Sequence, residues 1–408
     1  MTQCRFCNSE LNLVFADLGS TPLANSYLPD TAEAREKEQS WPLKVMVCEE
    51  CFLVQTTETV PADAIFDHDY AYLSSFSSGW LAHCKQYAEE MAARFGLNSD
   101  SKVVEVASND GYLLQYFVQA GIPVLGVEPA GHAAELAEEK GVATRVAFFG
   151  EETAKTLVAE GHGADLMAAN NVLAHVPDIR DFAKGFATLL KPDGVVTFEF
   201  PHLANLIKLN QFDTIYHEHY SYLSLLFVEK LFGEVGLEAF DVQELPTHGG
   251  SLRVFLGHKG AHEAQPGLAK VRDDEAAMGL NTPPAYANFD ASVKRLCHDL
   301  KAFVETARSE GKSVAAYGAP AKGNTFLNVA GITHDLIEFT VDRNPEKQNT
   351  LLPGSHIPVL APEEIRSRKP DYLIILPWNL RSEISEQWDE ISAWGGKFVT
   401  AVPELEVS

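Results

Sequence analysis

Basic residues are scarce in this chain: 32 Lys and Arg stand against 57 Asp and Glu, a formal net charge of −25 over 408 residues. That shortage excludes a nucleic-acid polymer as partner, because phosphate backbones are bound through a basic footprint. It disfavours an anionic membrane surface for the same reason. Long apolar runs are missing as well; no stretch approaches the roughly 18 consecutive apolar residues of a transmembrane helix. The opening Met1-Thr2-Gln3-Cys4 has neither a basic nor an apolar leader region, so a cytoplasmic protein is expected, as a monomer or a weak oligomer. Cysteine is sparse: six residues, too few for a disulfide scaffold. What is present is 46% hydrophobic residues, enough for a proper core. At about 100–200 residues per domain, the length predicts roughly two to four domains.

Residues 1–62 form a first unit, with the paired cysteines, the turn-rich run Gly19-Ser20-Thr21-Pro22 and two short apolar stretches, 43–47 and 52–56. A core this thin needs a staple. Residues 63–260 form a second. A polar and aromatic lead-in (Phe66 to Tyr72) and an amphipathic helix over 79–95 precede strands at 102–106, 123–127, 165–169 and 194–200. Helical patterns at 111–120 and 130–140 alternate with them, and strand-like runs 238–243 and 251–256 close the unit. This alternation indicates parallel βαβ units. The polar stretch 260–284, broken by Pro266, Pro283 and Pro284, reads as a linker or covering segment. The third unit, 261–408, has a long helix over 286–310 and a second α/β pattern with strands at 313–317, 336–341, 372–376 and 397–401.

Cys4-x-x-Cys7 and Cys48-x-x-Cys51 make two knuckles separated by a long insert. Four thiolates turned toward one point suit tetrahedral zinc, and a closed Cys4 set leaves no open position, so this metal would be structural. Redox dithiols or unrelated buried thiols are the other readings of the same residues. Cys84 and Cys297 stand alone.

The first strand-to-helix turn of the second unit reads Glu105-Val106-Ala107-Ser108-Asn109-Asp110-Gly111. It is not a G-x-G-x-x-G dinucleotide fingerprint. The next strand ends Glu128-Pro129, where a carboxylate can accept both hydroxyls of a ribose. The third leads into Asn170-Asn171 and on to His175. Together these resemble the class I S-adenosylmethionine-dependent methyltransferases. The resemblance implies that Glu105 and Gly111 flank the methionine end of the cofactor and Glu128 holds its ribose, with Ser108, Asn109, Pro129, Asn170 and Asn171 completing the site. Ala107 departs from the family norm, which is glycine.

Residues 214–222 are crowded with titratable groups: Tyr216, His217, Glu218, His219, Tyr220 and Tyr222. Such density marks sites, although a polar core network is the alternative. In an extended run, Tyr216, Glu218 and Tyr220 would oppose His217 and His219. With the cysteine pairs, the 107–111 turn, Asn170 through Pro177, His248 through Arg253 and Gly318 through Asn324, the chain resembles the bacterial sugar C-methyltransferases. These methylate deoxysugars on nucleotide carriers, often dTDP. The resemblance spans nearly the whole chain and implies an α/β protein of three parts: a Cys4 zinc domain, a central class I methyltransferase domain and a C-terminal Rossmann-like domain. It implies His219 as base, Tyr216 and His175 as donors to the enolate oxygen, and Glu218 and Tyr70 toward the substrate.

In the third unit, Gly318-Ala319-Pro320-Ala321-Lys322-Gly323-Asn324 opens a helix whose N–H groups could hold a diphosphate beside Lys322. A structural glycine turn reads equally well from the motif. Arg343, at the next strand end, could touch phosphate or pair with Asp342. Tyr72, His217, Tyr222, His248, Lys322, Asn324 and Arg343 are thus the candidates for a nucleotide-diphosphate sugar. An O- or N-methyltransferase on such a sugar, and a non-catalytic nucleotide-sugar or zinc-dependent interaction protein, remain open at this stage.

Overall fold

Apolar residues in the insert between the cysteine pairs form the antiparallel strands Leu13–Thr21 and Trp41–Val47, and Val54–Thr56 pairs with the second. The structure, a computed structural model, describes residues 2–57 and 73–408; Tyr70 and Tyr72 lie outside the described residues. The fourth strand of the sheet comes from far along the chain. It is Ser221–Tyr222, the end of the Tyr- and His-rich run, antiparallel to Val54–Thr56. Phe15, Leu18, Leu43 and Val45 share one apolar core with Leu203, Leu206 and Phe212 of the middle unit and with Phe289, Val293 and Val314 of the last. Phe15 stacks on Phe289 with ring centroids 4.3 Å apart. The N-terminal unit is therefore fused to both α/β units.

The central sheet has seven strands, in the spatial order Leu237–Leu245, Ser251–His258, Leu190–Pro201, Ala164–Asn170, Val103–Val106, Val124–Glu128, Thr144–Val146. Ser251–His258 is antiparallel to both neighbours; the other pairings are parallel. Chain order reverses across Val103–Val106, the switch point where ligands sit at the carboxyl ends of strands. This topology brings the 107–111 turn, Glu128 and Asn170-Asn171 to one edge. The lead-in helix Ser78–Phe95 starts with Ser77 accepting the Trp80 N–H and ends at Gly96 in the left-handed region. Asp178 and Ser224 cap Ile179–Leu189 and Leu225–Gly233 in the same way, each cap being worth about 1 kcal/mol.

The segment read as a linker holds a helix, Pro266–Ala277. Its polarity misleads because only Leu268, Val271 and Glu275 turn inward. Glu275 accepts the Leu225 and Leu226 N–H groups at 2.6 and 2.8 Å and the His202 Nε2–H at 2.8 Å. A buried carboxylate thus clamps the start of a neighbouring helix. The last unit is a six-stranded sheet, Val359–Leu360, Thr340–Val341, Val314–Tyr317, Tyr372–Ile375, Lys397–Thr400 and Glu406–Val407, parallel except for the final edge. Helix Phe289–Ser309 buries Val293, Leu296, Leu300 and Val304 beneath it. Among the described residues no helix is long and apolar enough to cross a membrane.

Candidate active site

The two cysteine knuckles repeat one local geometry: the Asn8 N–H donates to the Cys4 carbonyl at 3.0 Å, and the Phe52 N–H to the Cys48 carbonyl at 2.9 Å. The sulfurs of Cys4, Cys7, Cys48 and Cys51 all lie within 4.8 Å of one another, with Cys4–Cys51 at 3.6 Å and Cys7–Cys48 at 3.4 Å. A tetrahedral zinc with Zn–S of about 2.3 Å sets its sulfurs about 3.8 Å apart, so the four fit as its ligands. Hydrogen bonds from Cys51 and from the Gln55 amide lower the pKa of the Cys4 thiol, favouring the thiolate that a metal needs.

The 107–111 turn winds tightly. Ala107, Asn109 and Gly111 all have positive φ, 57°, 47° and 75°. Gly111 is needed twice over, since a Cβ there would also lie 3.2 Å from the Ala137 backbone. Ala107 holds the left-handed conformation without being glycine, a strain of about 1–2 kcal/mol. Ala107→Gly is expected to stabilise the fold by up to about 1 kcal/mol after the larger unfolded-state entropy is subtracted. The midpoint of urea denaturation measures this, and a lower midpoint would show that the Ala107 methyl matters more than the strain.

Around this turn buried acceptors outnumber donors. Among the described residues Ser108 Oγ, Asp110 Oδ1 and Asn171 Oδ1 have no hydrogen bond, and the Tyr112 phenol is the one donor close to both Glu105 and Asn170. Burial pushes the Glu105 carboxyl well above the usual carboxylate range. Buried acceptors in such number suit a ligand rich in donors. A sulfonium amino acid with an ammonium group fits that description. Glu128 is more engaged than expected: its two oxygens accept the Asn109 and Ala130 N–H groups, both at 2.9 Å, leaving their remaining lone pairs for ribose hydroxyls. Pro129 follows, half-buried. Asn109 Oδ1 accepts the Ser74 N–H at 2.9 Å, which ties the lead-in segment over the turn.

The 214–222 run is not extended. The His219 N–H returns to the Tyr216 carbonyl at 2.9 Å and closes a turn, so the expected alternation of faces fails. Tyr216 and His219 pack with tilted rings instead, centroids 4.0 Å apart, and the His175 ring meets His219 edge-on at 4.6 Å. His219 Nδ1 lies 2.7 Å from the Thr214 carbonyl. Nδ1 must therefore carry the proton, which leaves Nε2 with the lone pair. Burial holds His219 well below the usual histidine range, with His175, Lys322 and His248 adding to the effect; it is neutral at pH 7. Burial likewise pushes His175 and His248 down to about 4. His175, Tyr216, His219 and His248 are all half-buried. Asn171 Nδ2 donates to His248 Nε2 at 3.4 Å, joining the cofactor edge to this cluster.

Three family models match in sequence order: a zinc binding domain over residues 4–66, a methyltransferase domain over 81–242 and the C-methyltransferase C-terminal domain over 246–403. C-methyltransferase NovU of Streptomyces niveus is 38% identical over 407 residues, covering 99% of this chain and 96% of NovU. The chain belongs to the C-methyltransferase family. It is S-adenosylmethionine-dependent, and its N-terminal domain binds zinc. An ubiquinone biosynthesis O-methyltransferase of Ralstonia nicotianae is 33% identical over 103 residues, 25% of this chain and 43% of that one. A solved SAM-dependent methyltransferase from Anabaena variabilis covers 44% of this chain and 87% of its own, at 16% identity and a TM-score of 0.37.

Other candidates of this C-methyltransferase lie elsewhere. His217 Nε2 is 3.2 Å from the Trp41 carbonyl, and Glu218 accepts from Asn25 Nδ2 at 2.6 Å, so both face the N-terminal domain. Tyr222 is buried in the shared sheet, its ring 6.4 Å from that of His219. Asn324 is fully buried and donates to the Ala24 carbonyl at 2.6 Å, a tie between domains rather than a place in an open cleft. Lys322 turns toward the methyltransferase domain, its Nζ 3.5 Å from the His248 carbonyl and 5.2 Å from the Trp378 ring centre. The Ala319 amide, in the turn before helix Ala321–Ala330, donates to Asp342 at 2.8 Å. Arg343 bonds the Tyr317 hydroxyl at 3.2 Å and sits 3.6 Å from Glu383, not paired with Asp342. It lines a cavity of about 210 Å³ with Gly318, Asp342 and Lys347.

Sequence reasoning missed one buried network. Glu199, opposite Asn170 in the sheet, accepts from Thr247 Oγ1 at 2.9 Å with one oxygen and from His83 Nε2 and Arg253 with the other, both at 2.9 Å. Burial alone would raise the Glu199 pKa, but His83 and Arg253 outweigh it and hold the carboxyl below the usual range. Thr247 starts the turn that carries His248, so this network fixes that histidine over the cofactor edge. A charge inside the apolar run Val195 to Phe200 was the available signal.

Proposed function

We propose that this C-methyltransferase acts on a nucleotide-linked 4-keto deoxysugar, with dTDP as carrier, and methylates the C-3 carbon beside the ketone. The observation that carries the reading is His219: its Nδ1–H is committed to the Thr214 carbonyl, so Nε2 is a neutral base next to a potential donor, the Tyr216 hydroxyl. A carbon bound to hydrogen is a poor nucleophile until that proton leaves. His219 Nε2 takes it, and the electron pair moves onto the ketone oxygen. Tyr216 donates to that oxygen as it becomes anionic, while His175, neutral and with its one N–H on the Glu218 carbonyl, packs against the base. Glu218, anchored by Asn25, orients the turn, and the family likeness adds Tyr70 over the sugar. Bound S-adenosylmethionine supplies the electrophilic methyl group. The Glu199 network keeps His248 in place, and Lys322, buried beside Asp213, holds the same turn through the His248 carbonyl.

Incubation with labelled cofactor and a panel of nucleotide 4-keto sugars in D₂O tests this. Transfer accompanied by deuterium wash-in at C-3 supports it, whereas O- or N-methylation would proceed without wash-in. Because the working form of His219 is neutral and its pKa is depressed, kcat should stay level as pH falls through 6.5 and drop only well below it. A pH–rate limb at or above 6.5 would contradict that assignment.

A further inference from the structure

The zinc centre and the base belong to different domains, yet one side chain bridges them. Arg5 lies inside the first knuckle, between Cys4 and Cys7. Its Nη1 donates to the Thr56 carbonyl at 2.7 Å; its Nη2 donates to the Tyr220 carbonyl and, at 3.2 Å, to Ser221 Oγ. The Arg5 N–H donates to Gln55 Oε1 at 2.9 Å, and Gln55 Nε2 donates to Cys4 Sγ at 3.1 Å. A metal-ligating sulfur, Gln55, Arg5 and the Tyr220 carbonyl therefore form one hydrogen-bonded chain. The other side of Tyr220 is fixed as well: its N–H donates at 2.8 Å to the carbonyl of Ala174, the residue before His175. Tyr220 directly follows His219.

We propose that Arg5 is a positioning residue for His219, through which the zinc knuckle sets the register of the base-bearing turn against His175. The proposal rests on the reading of His219 as the base. A guanidinium suits the task because its planar fork can reach two carbonyls at once, which an ammonium on a flexible stem does not. Misplacement of a catalytic group by about 1 Å can lower rate by about 10²-fold.

The test uses the full-length zinc protein and a dTDP-linked 4-keto-6-deoxyhexose in D₂O. Arg5→Met should retain zinc and bind S-adenosylmethionine within about twofold of wild type, while C-3 exchange slows by about 10- to 100-fold. Arg5→Lys should recover part of the loss. In a His219→Asn background Arg5→Met should add no further loss, because a positioning residue acts only through the group it positions. Wild-type exchange in Arg5→Met, or a fully additive loss in the double variant, overturns the proposal. Should Arg5→Met fail to fold, Arg5→Lys decides alone: exchange about 3- to 10-fold slower at unchanged zinc and cofactor binding supports it, and wild-type exchange overturns it. Normal exchange in His219→Asn alone would instead show that the base assignment had failed.

Discussion

His219→Asn is expected to lower methyl transfer by about 10²–10⁴-fold while cofactor affinity stays unchanged. The asparagine amide can still donate to the Thr214 carbonyl, which His219 Nδ1 holds at 2.7 Å, so the turn keeps its anchor and loses only its base. The strand ends proposed to hold the cofactor, at Glu105, Glu128 and Asn170, make no bond to His219 among the described residues. Calorimetry with S-adenosylmethionine should therefore give wild-type affinity, and a kcat above a tenth of wild type would remove His219 from the mechanism. The depressed pKa of His219 makes the free imidazole a weak base. The anionic oxygen must then be strongly stabilised, which is the work assigned to Tyr216.

Removal of zinc is expected to have the largest effect on the fold. Structural zinc supplies about 10–16 kcal/mol in small metal-dependent domains. The strands around the knuckles are short, and the sulfurs of Cys4 and Cys51, 3.6 Å apart, would be left as packed thiols without the metal. After chelation, amide exchange should lose protection across residues 2–57 and at Ser221–Tyr222, whereas helix Ile179–Leu189 should keep it. Methyl transfer should fall with that loss. Retained protection over 2–57 in protein shown to be metal-free would mean that the core shared with Phe289 and Val293 suffices by itself.

The local parts of this design were legible in the sequence. The cysteine spacing reports its chemistry within a few residues, and the order of strands and helices indicated both α/β units. What stayed hidden depends on distant pairing. Nothing near Ser221 says that it completes a sheet with Val54–Thr56. The 214–222 run looked extended because aromatic residues favour strands, but a hydrogen bond from His219 to Tyr216 closes it into a turn. Lys322 and Asn324 sit in a motif that suggests phosphate, yet the packing of three domains turns one toward His248 and buries the other against Ala24. The helix over Pro266–Ala277 escaped notice because a carboxylate, Glu275, anchors it where apolar residues were sought.

The fourth strand of the N-terminal sheet also changes what can be exchanged between relatives. A chimera that transplants residues 2–57 alone would pair its Val54–Thr56 edge with the recipient's own counterpart of Ser221–Tyr222, and side chains such as Arg5 would then meet a partner they were not matched to. The unit that travels intact is discontinuous: the zinc knuckles together with residues 214–222 from the middle of the chain. Recombination between such enzymes should therefore tolerate crossovers inside the methyltransferase helices better than one at the apparent boundary after residue 57.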